Sequence, residues 1–179
     1  MTRYVALLRG VNVGGHNRLP MAGLRASAAR RGCARVVTSI ASGNALFDLD
    51  LDQADAQRLW ETMLAEDFTL DVPVCVLRAS EMADAFAHAP AWWNQTPGDR
   101  HEAVFVRPPL TAAEVCDRAG APAPGERFAP WGQVVFSSAP MGDYSQTRWV
   151  QIARDKEIYR AITVRNAATA LKLAALATA

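Results

Sequence analysis

Arg35-Val36-Val37-Thr38-Ser39-Ile40-Ala41-Ser42-Gly43-Asn44-Ala45-Leu46-Phe47-Asp48-Leu49 is the stretch on which the fold turns. Arg35 to Ala41 and Ala45 to Leu49 read as two strands. Ser42-Gly43-Asn44 between them tolerates the positive φ of a hairpin turn. Toward the N-terminus, Tyr4 to Arg9 reads as a buried strand that leads into a glycine-bearing loop, Gly10 to Leu19. Pro20 suits the first turn of a helix over about Met21 to Arg31, with Leu24 and Ala28 inward and Gly32 placed to end it. Toward the C-terminus, Asp52 is positioned to cap a helix whose Ala56, Leu59, Trp60, Met63 and Leu64 form one stripe. Val72 to Ala79 follows as a strand. The first eighty residues therefore spell β-α-β-β-α-β. Right-handed crossovers turn that order into a four-stranded antiparallel sheet with both helices on one face, the ferredoxin-like plait.

The same order returns downstream. A short helix capped by Ser80 places Met82 and Phe86 one turn apart, and Pro90 to Asp99 reads as irregular. Ala103 to Arg107 is a strand stopped by Pro108-Pro109. Thr111 with Glu114 forms a capping box for a helix that Gly120 ends. Glu126 to Ala129 and Gln133 to Ser138 form a hairpin around Pro130-Trp131-Gly132. A helix over about Ser145 to Arg160, an extended piece near Ile162-Thr163 and a final helix from Ala167 to about Ala177 complete the pattern. The expected fold is α+β, two ferredoxin-like (βαββαβ) subdomains in tandem plus a C-terminal helix. Residues 1–80 make the first subdomain with its glycine loop, 81–100 a connecting helix and linker, and 101–179 the second.

The chain has 179 residues, half of them hydrophobic and 21% charged, which excludes wholesale disorder. Three cysteines lie far apart, an odd number that opposes a disulfide framework and favours a reducing, cytoplasmic setting. No apolar run is long enough to span a bilayer, and the first nine residues are too short between arginines for a signal segment. The net charge of +1 is unevenly spread. Residues 1–47 hold seven arginines and no acid before Asp48, and 148–179 hold six basic residues against Asp155 and Glu157. Such asymmetry builds an anion-attracting face unless the acidic middle of the chain screens it.

The most specific local feature is Leu7-Leu8-Arg9-Gly10-Val11-Asn12-Val13-Gly14-Gly15-His16-Asn17-Arg18. Strand, glycine-rich loop and helix start present backbone N–H groups to phosphate. Asn12 breaks the dinucleotide fingerprint, and no Gly-Lys-Ser/Thr ending marks a phosphate-binding P-loop. The glycines let Arg9 and Arg18 approach a shared anion, or they simply make a tight bend.

The Leu8 to Arg18 run resembles the bacterial proteins grouped as domain of unknown function 1697. So do Pro20-Met21 with Leu24-Arg25, Ser42-Gly43-Asn44, and Thr163-Val164-Arg165-Asn166 with Leu171-Lys172-Leu173. The resemblance implies two ferredoxin-like subdomains in tandem and brings no biochemical activity with it. Relatives usually carry an aromatic and a glutamine where this chain has Ser39 and Ala41, and tryptophan where it has Ala167. If those side chains build a ligand surface in relatives, it is reduced here.

Arg165 is placed against its local electrostatics if Thr163 caps the last helix, because the dipole repels a cation in the first turn. Capping by Asn166 removes the conflict; Thr163 is the expectation. His16, His88 and His101 have no partner at metal-ligand spacing, so neither a metal nor any other cofactor is expected. Asp48, Asp50 and Asp52 end a strand and cap a helix rather than form a calcium loop. Phe105 and Phe136 fall where a plait displays RNA-stacking aromatics, but the accompanying basic consensus is absent and core packing is expected. Trp92-Trp93 cannot easily bury both rings on one face, and a partner or inter-subdomain contact would explain the pair.

Three functions remain open at this level. One is a binding module for an anionic small molecule or nucleic acid, using Arg9, Gly10, Asn12, Gly14, Gly15, Arg18, Ser42, Gly43, Asn44, Arg165 and Asn166. Another is an enzyme acting on a small phosphorylated or carboxylated substrate with His16 as proton carrier, although no second catalytic partner accompanies it. The last is an assembly module whose basic ends meet an acidic surface. No membrane role is expected, and the sequence does not specify an oligomeric state.

Overall fold

A computed structural model describes residues 1–39 and 43–178. The chain divides into two compact units: Met1–Ser80 together with the residues from Ala175 onward, and Glu81–Ala174.

In the first unit, β1 (Thr2–Leu8), α1 (Met21–Arg30), β2 (Ala34–Thr38), β3 (Asn44–Leu49), α2 (Gln53–Phe68) and β4 (Val74–Arg78) follow one another. The sheet order is β2-β3-β1-β4, all neighbours antiparallel, as a plait requires. Alternation along β1 sends Tyr4, Ala6 and Leu8 to the helical face. There they join Phe47 and the α2 stripe of Ala56, Trp60, Met63 and Leu64 in one buried cluster. Tyr4, Phe47 and Trp60 run ring to ring, with centroids 5.6 and 4.8 Å apart. The Tyr4 hydroxyl leaves this apolar stack by donating to Leu51 O at 2.8 Å. Asp52 caps α2 through Asp55 N, as its position predicts. Gly32 closes α1 at φ +87°, with Gly32 N and Cys33 N bonded to Ala29 O and Ala28 O.

The second unit holds α3 (Ala79–Ala87), β5 (Asp99–Val106), α4 (Ala112–Ala119), β6 (Arg127–Trp131) and β7 (Val134–Pro140). A 3-10 turn (Met141–Gln146), α5 (Arg148–Ile152), α6 (Lys156–Ala161), β8 (Ile162–Asn166) and α7 (Ala167–Ala177) follow, the last three residues of α7 being counted with the first unit. Its sheet order, β6-β7-β5-β8, repeats the first. The molecule is thus α+β with two four-stranded antiparallel sheets of ferredoxin-like order and a terminal helix.

Several local expectations change. The single helix over 145–160 is three pieces, because Asp155 turns its side chain onto Glu157 N and Ile158 N and starts a new helix. The helix after β4 begins at Ala79, one residue before Ser80. The extended piece near Ile162 is a full strand paired with β5 from Ile162 to Asn166. Phe105 and Phe136 are both fully buried and meet Phe86, 6.4 and 5.3 Å between centroids. Trp93 lies edge-on to Phe136 at 5.0 Å and donates its indole N–H to Glu102 O. Trp92 receives the Arg127 guanidinium 5.3 Å from its ring. The two tryptophans therefore divide between core and surface within their own unit.

Candidate functional site

The loop between β1 and α1 is held by two asparagines. Asn12 Nδ2 donates to Leu19 O at 2.9 Å, while its Oδ1 accepts from Leu19 N at 2.8 Å. Asn17 Nδ2 donates to Gly10 O at 3.0 Å, and Asn12 N reaches Asn17 O at 3.1 Å. Between these staples His16 N bonds Val13 O. Gly10, Asn12, Gly14, Gly15 and Asn17 all have positive φ, while the intervening residues do not. Left-handed backbone at these positions, which glycine and asparagine adopt most readily, bends the loop sharply. The N–H groups of Gly14, Gly15 and Arg18 have no acceptor among the described residues, and neither has the exposed Arg18 guanidinium. Asn12, Gly15, Arg18, Leu19 and Pro20 line a hollow of about 410 Å³. Arg9 enters the same loop, its backbone N–H on Pro73 O at 3.2 Å. His16 is exposed and meets no carboxylate, thiol or second histidine among the described residues.

The other residues expected at the site have work inside the fold. Gly43 sits at φ +79° with its carbonyl on Leu8 N at 2.8 Å. Asn44 is fully buried, and its Nδ2 donates to Ser39 O at 3.0 Å, bracing the hairpin from within. Ser42, like Ala41, lies outside the described residues. Asn166 Oδ1 accepts from Thr169 N at 2.9 Å and caps α7. Thr163, expected as that cap, is instead a residue of β8. Arg165 is consequently in the strand, not the first helical turn, and donates to Thr163 Oγ1 and Val164 O, both at 2.9 Å. The electrostatic conflict expected of it does not arise.

The basic N-terminal segment is largely answered by acids that lie later in the chain. Asp48, 5% exposed, accepts from Arg3 at 3.1 Å and from Arg35. Burial pushes its carboxyl up, but hydrogen bonds from Arg35 and Arg3 outweigh that and hold it below the ordinary carboxylate value. Asp67 accepts from Ser27, from Arg31 at 3.0 Å and from Arg30 at 3.4 Å. It is likewise lowered, chiefly by Ser27. Glu66 takes Arg31 at 2.8 Å. Arg25 turns to Thr38 Oγ1.

Sequence reasoning did not reach two histidine clusters of the second unit. His101 Nδ1 receives Asn94 N–H at 3.2 Å and Ser138 Oγ at 2.6 Å, so its Nε2–H donates to Thr96 O at 2.9 Å. With Ser138 fully buried, this knot pins the 94–96 turn to the sheet. His88 stacks on Trp131, centroids 3.9 Å apart, and Trp131 Nε1 donates to Asp84. Both clusters join residues dozens of positions apart, and no spacing in the sequence signals either. Burial pushes the Cys33 thiol up to about 11 and the Cys116 thiol to about 12, so neither supplies a thiolate at neutral pH.

Two plaits of identical strand order, with a glycine loop opening the first, define a tandem ferredoxin-like protein; among the described residues no three His, Cys, Asp or Glu side chains gather as a metal site would require. Residues 1–136 match the protein family of unknown function DUF1697, and the chain belongs to it. It is similar to the conserved bacterial protein SP0830 from Streptococcus pneumoniae, with 28% identity, a TM-score of 0.84 and 98% of each chain covered. An unknown protein from Galdieria sulphuraria matches at 15% identity and a TM-score of 0.29, covering 92% of this chain and 98% of its own. No curated protein matches the chain. No helix among the described residues is long and apolar enough to cross a membrane.

Proposed function

We propose that the chain is a binding module for a phosphate-bearing anion, seated in the loop between β1 and α1. One observation carries the reading: the N–H groups of Gly15 and Arg18, without an acceptor among the described residues, and the exposed Arg18 guanidinium border one hollow, with the free Gly14 N–H next to Gly15 in the chain. Backbone N–H groups fixed in place bind an anion without the entropy cost of ordering a loop, and a guanidinium adds charge-assisted bonds. Asn12 and Asn17 serve the site as its braces. Asn44 and Asn166 keep the structural bonds described above.

The test is calorimetric titration with inorganic phosphate, mixed nucleotides and short oligonucleotides, each at low and high salt. Binding that weakens with salt and falls about tenfold or more in Arg18→Ala is expected, since a charged hydrogen bond contributes about 1.5–3 kcal/mol. Absence of any salt-sensitive binding to the wild-type chain refutes the proposal.

A further inference from the structure

The second unit carries a separate hollow of about 410 Å³, walled by Pro124 and Pro140 and lined by Asp143, Gln146, Arg148 and Gln151. Its sides are tied together by Glu126, which is only 5% exposed. Glu126 Oε2 accepts the backbone N–H of Ala123 and that of Arg148, both at 2.9 Å, and its Oε1 that of Trp149 at 3.4 Å. A carboxylate this deep needs such converging donors, and in taking them it holds the 122–124 segment and the start of α5 in fixed register.

Arg148 is exposed yet held. Its Nε donates to Ala121 O at 3.1 Å and its Nη1 to Gln151 Oε1 at 3.2 Å. Gln151 Nε2 in turn donates to Gln146 O at 3.3 Å. Two of the five guanidinium N–H groups are used, which leaves a fork for a planar acceptor. The Asp143 carboxylate meets no partner among the described residues. An oriented guanidinium and an unmatched carboxylate lining one concavity complement a molecule that carries both opposite charges.

We propose that this hollow binds a free amino acid, its carboxylate on Arg148 and its ammonium on Asp143. Gln146 and Gln151 offer amide groups to the remainder, and the volume leaves room for a side chain. The site is independent of the glycine loop of the first unit.

Calorimetric titration with a panel of free amino acids tests this, followed by the N-acetyl and carboxamide derivatives of whichever binds. Binding by a member of the panel is expected, with about tenfold or greater weakening in each derivative and in Arg148→Gln and Asp143→Asn. The Arg18→Ala chain is expected to bind like wild type, which separates this site from the proposed anion site. Asp143→Asn removes no hydrogen bond or ion pair found among the described residues, which makes its result interpretable by itself. Failure of the whole panel, undiminished binding of a blocked derivative, or undiminished binding by Asp143→Asn overturns the proposal.

Discussion

At the scale of single residues, the blocks shared with the family divide by what their side chains touch. Gly43 is the sharpest case. A Cβ there would run into the Val11 Cγ2 methyl and stand 2.9 Å from Leu8 Cβ, at a φ of +79° that L side chains rarely adopt. Left-handed backbone costs a non-glycine residue about 1–2 kcal/mol, and overpacking adds about 1–3. Gly43→Ala is therefore expected to lower unfolding stability by roughly 2–5 kcal/mol. Urea denaturation reads it, and a loss under about 1 kcal/mol contradicts the packing described. The glycine type was legible in sequence as a turn signal. The close approach of Leu8 and Val11 was not, since it depends on how β1 and the hairpin meet.

At the scale of elements, the helices begin where polar side chains answer free N–H groups. Asp52, Thr111 and Asp155 do so for α2, α4 and α6, and the Thr111–Glu114 box has both of its reciprocal bonds. Two of these caps were readable from spacing alone. The third, Asp155, was not, because a capping aspartate inside a continuous helical pattern looks like a solvated face residue. The α7 start shows the same limit: Thr163 and Asn166 are both competent caps, and pairing of β8 with β5 through Asn166 leaves only Asn166 at the boundary. Asn166→Ala is expected to cost about 1 kcal/mol without any ligand present, and Thr163→Ala to leave the α7 cap intact. Hydrogen exchange in the first turn of α7 distinguishes the two; faster exchange in Thr163→Ala alone would contradict the assignment.

At the scale of the whole molecule, ion pairing sets the acid limb of stability. Asp48 and Asp67 are held below the ordinary carboxylate value of about 3.9 when folded, and regain it when unfolded. The unfolded chain then binds more protons as pH falls, so their stabilisation is present at neutral pH and is lost as pH drops through the ordinary value toward the folded ones. Urea midpoints are expected to decline below about pH 5, and Asp48→Asn to be less stable at neutral pH with a shallower decline. An equally steep acid limb in that variant would show that Asp48 does not contribute. The plait order and the glycine loop could be read from the chain itself, because hydrophobic periodicity, caps and turn residues are local properties of neighbouring positions. Which arginines stay open to a ligand could not. Arg3, Arg30, Arg31 and Arg35 find carboxylates far along the chain while Arg18 finds none among the described residues, and only tertiary folding decides which charges are brought within reach of one another.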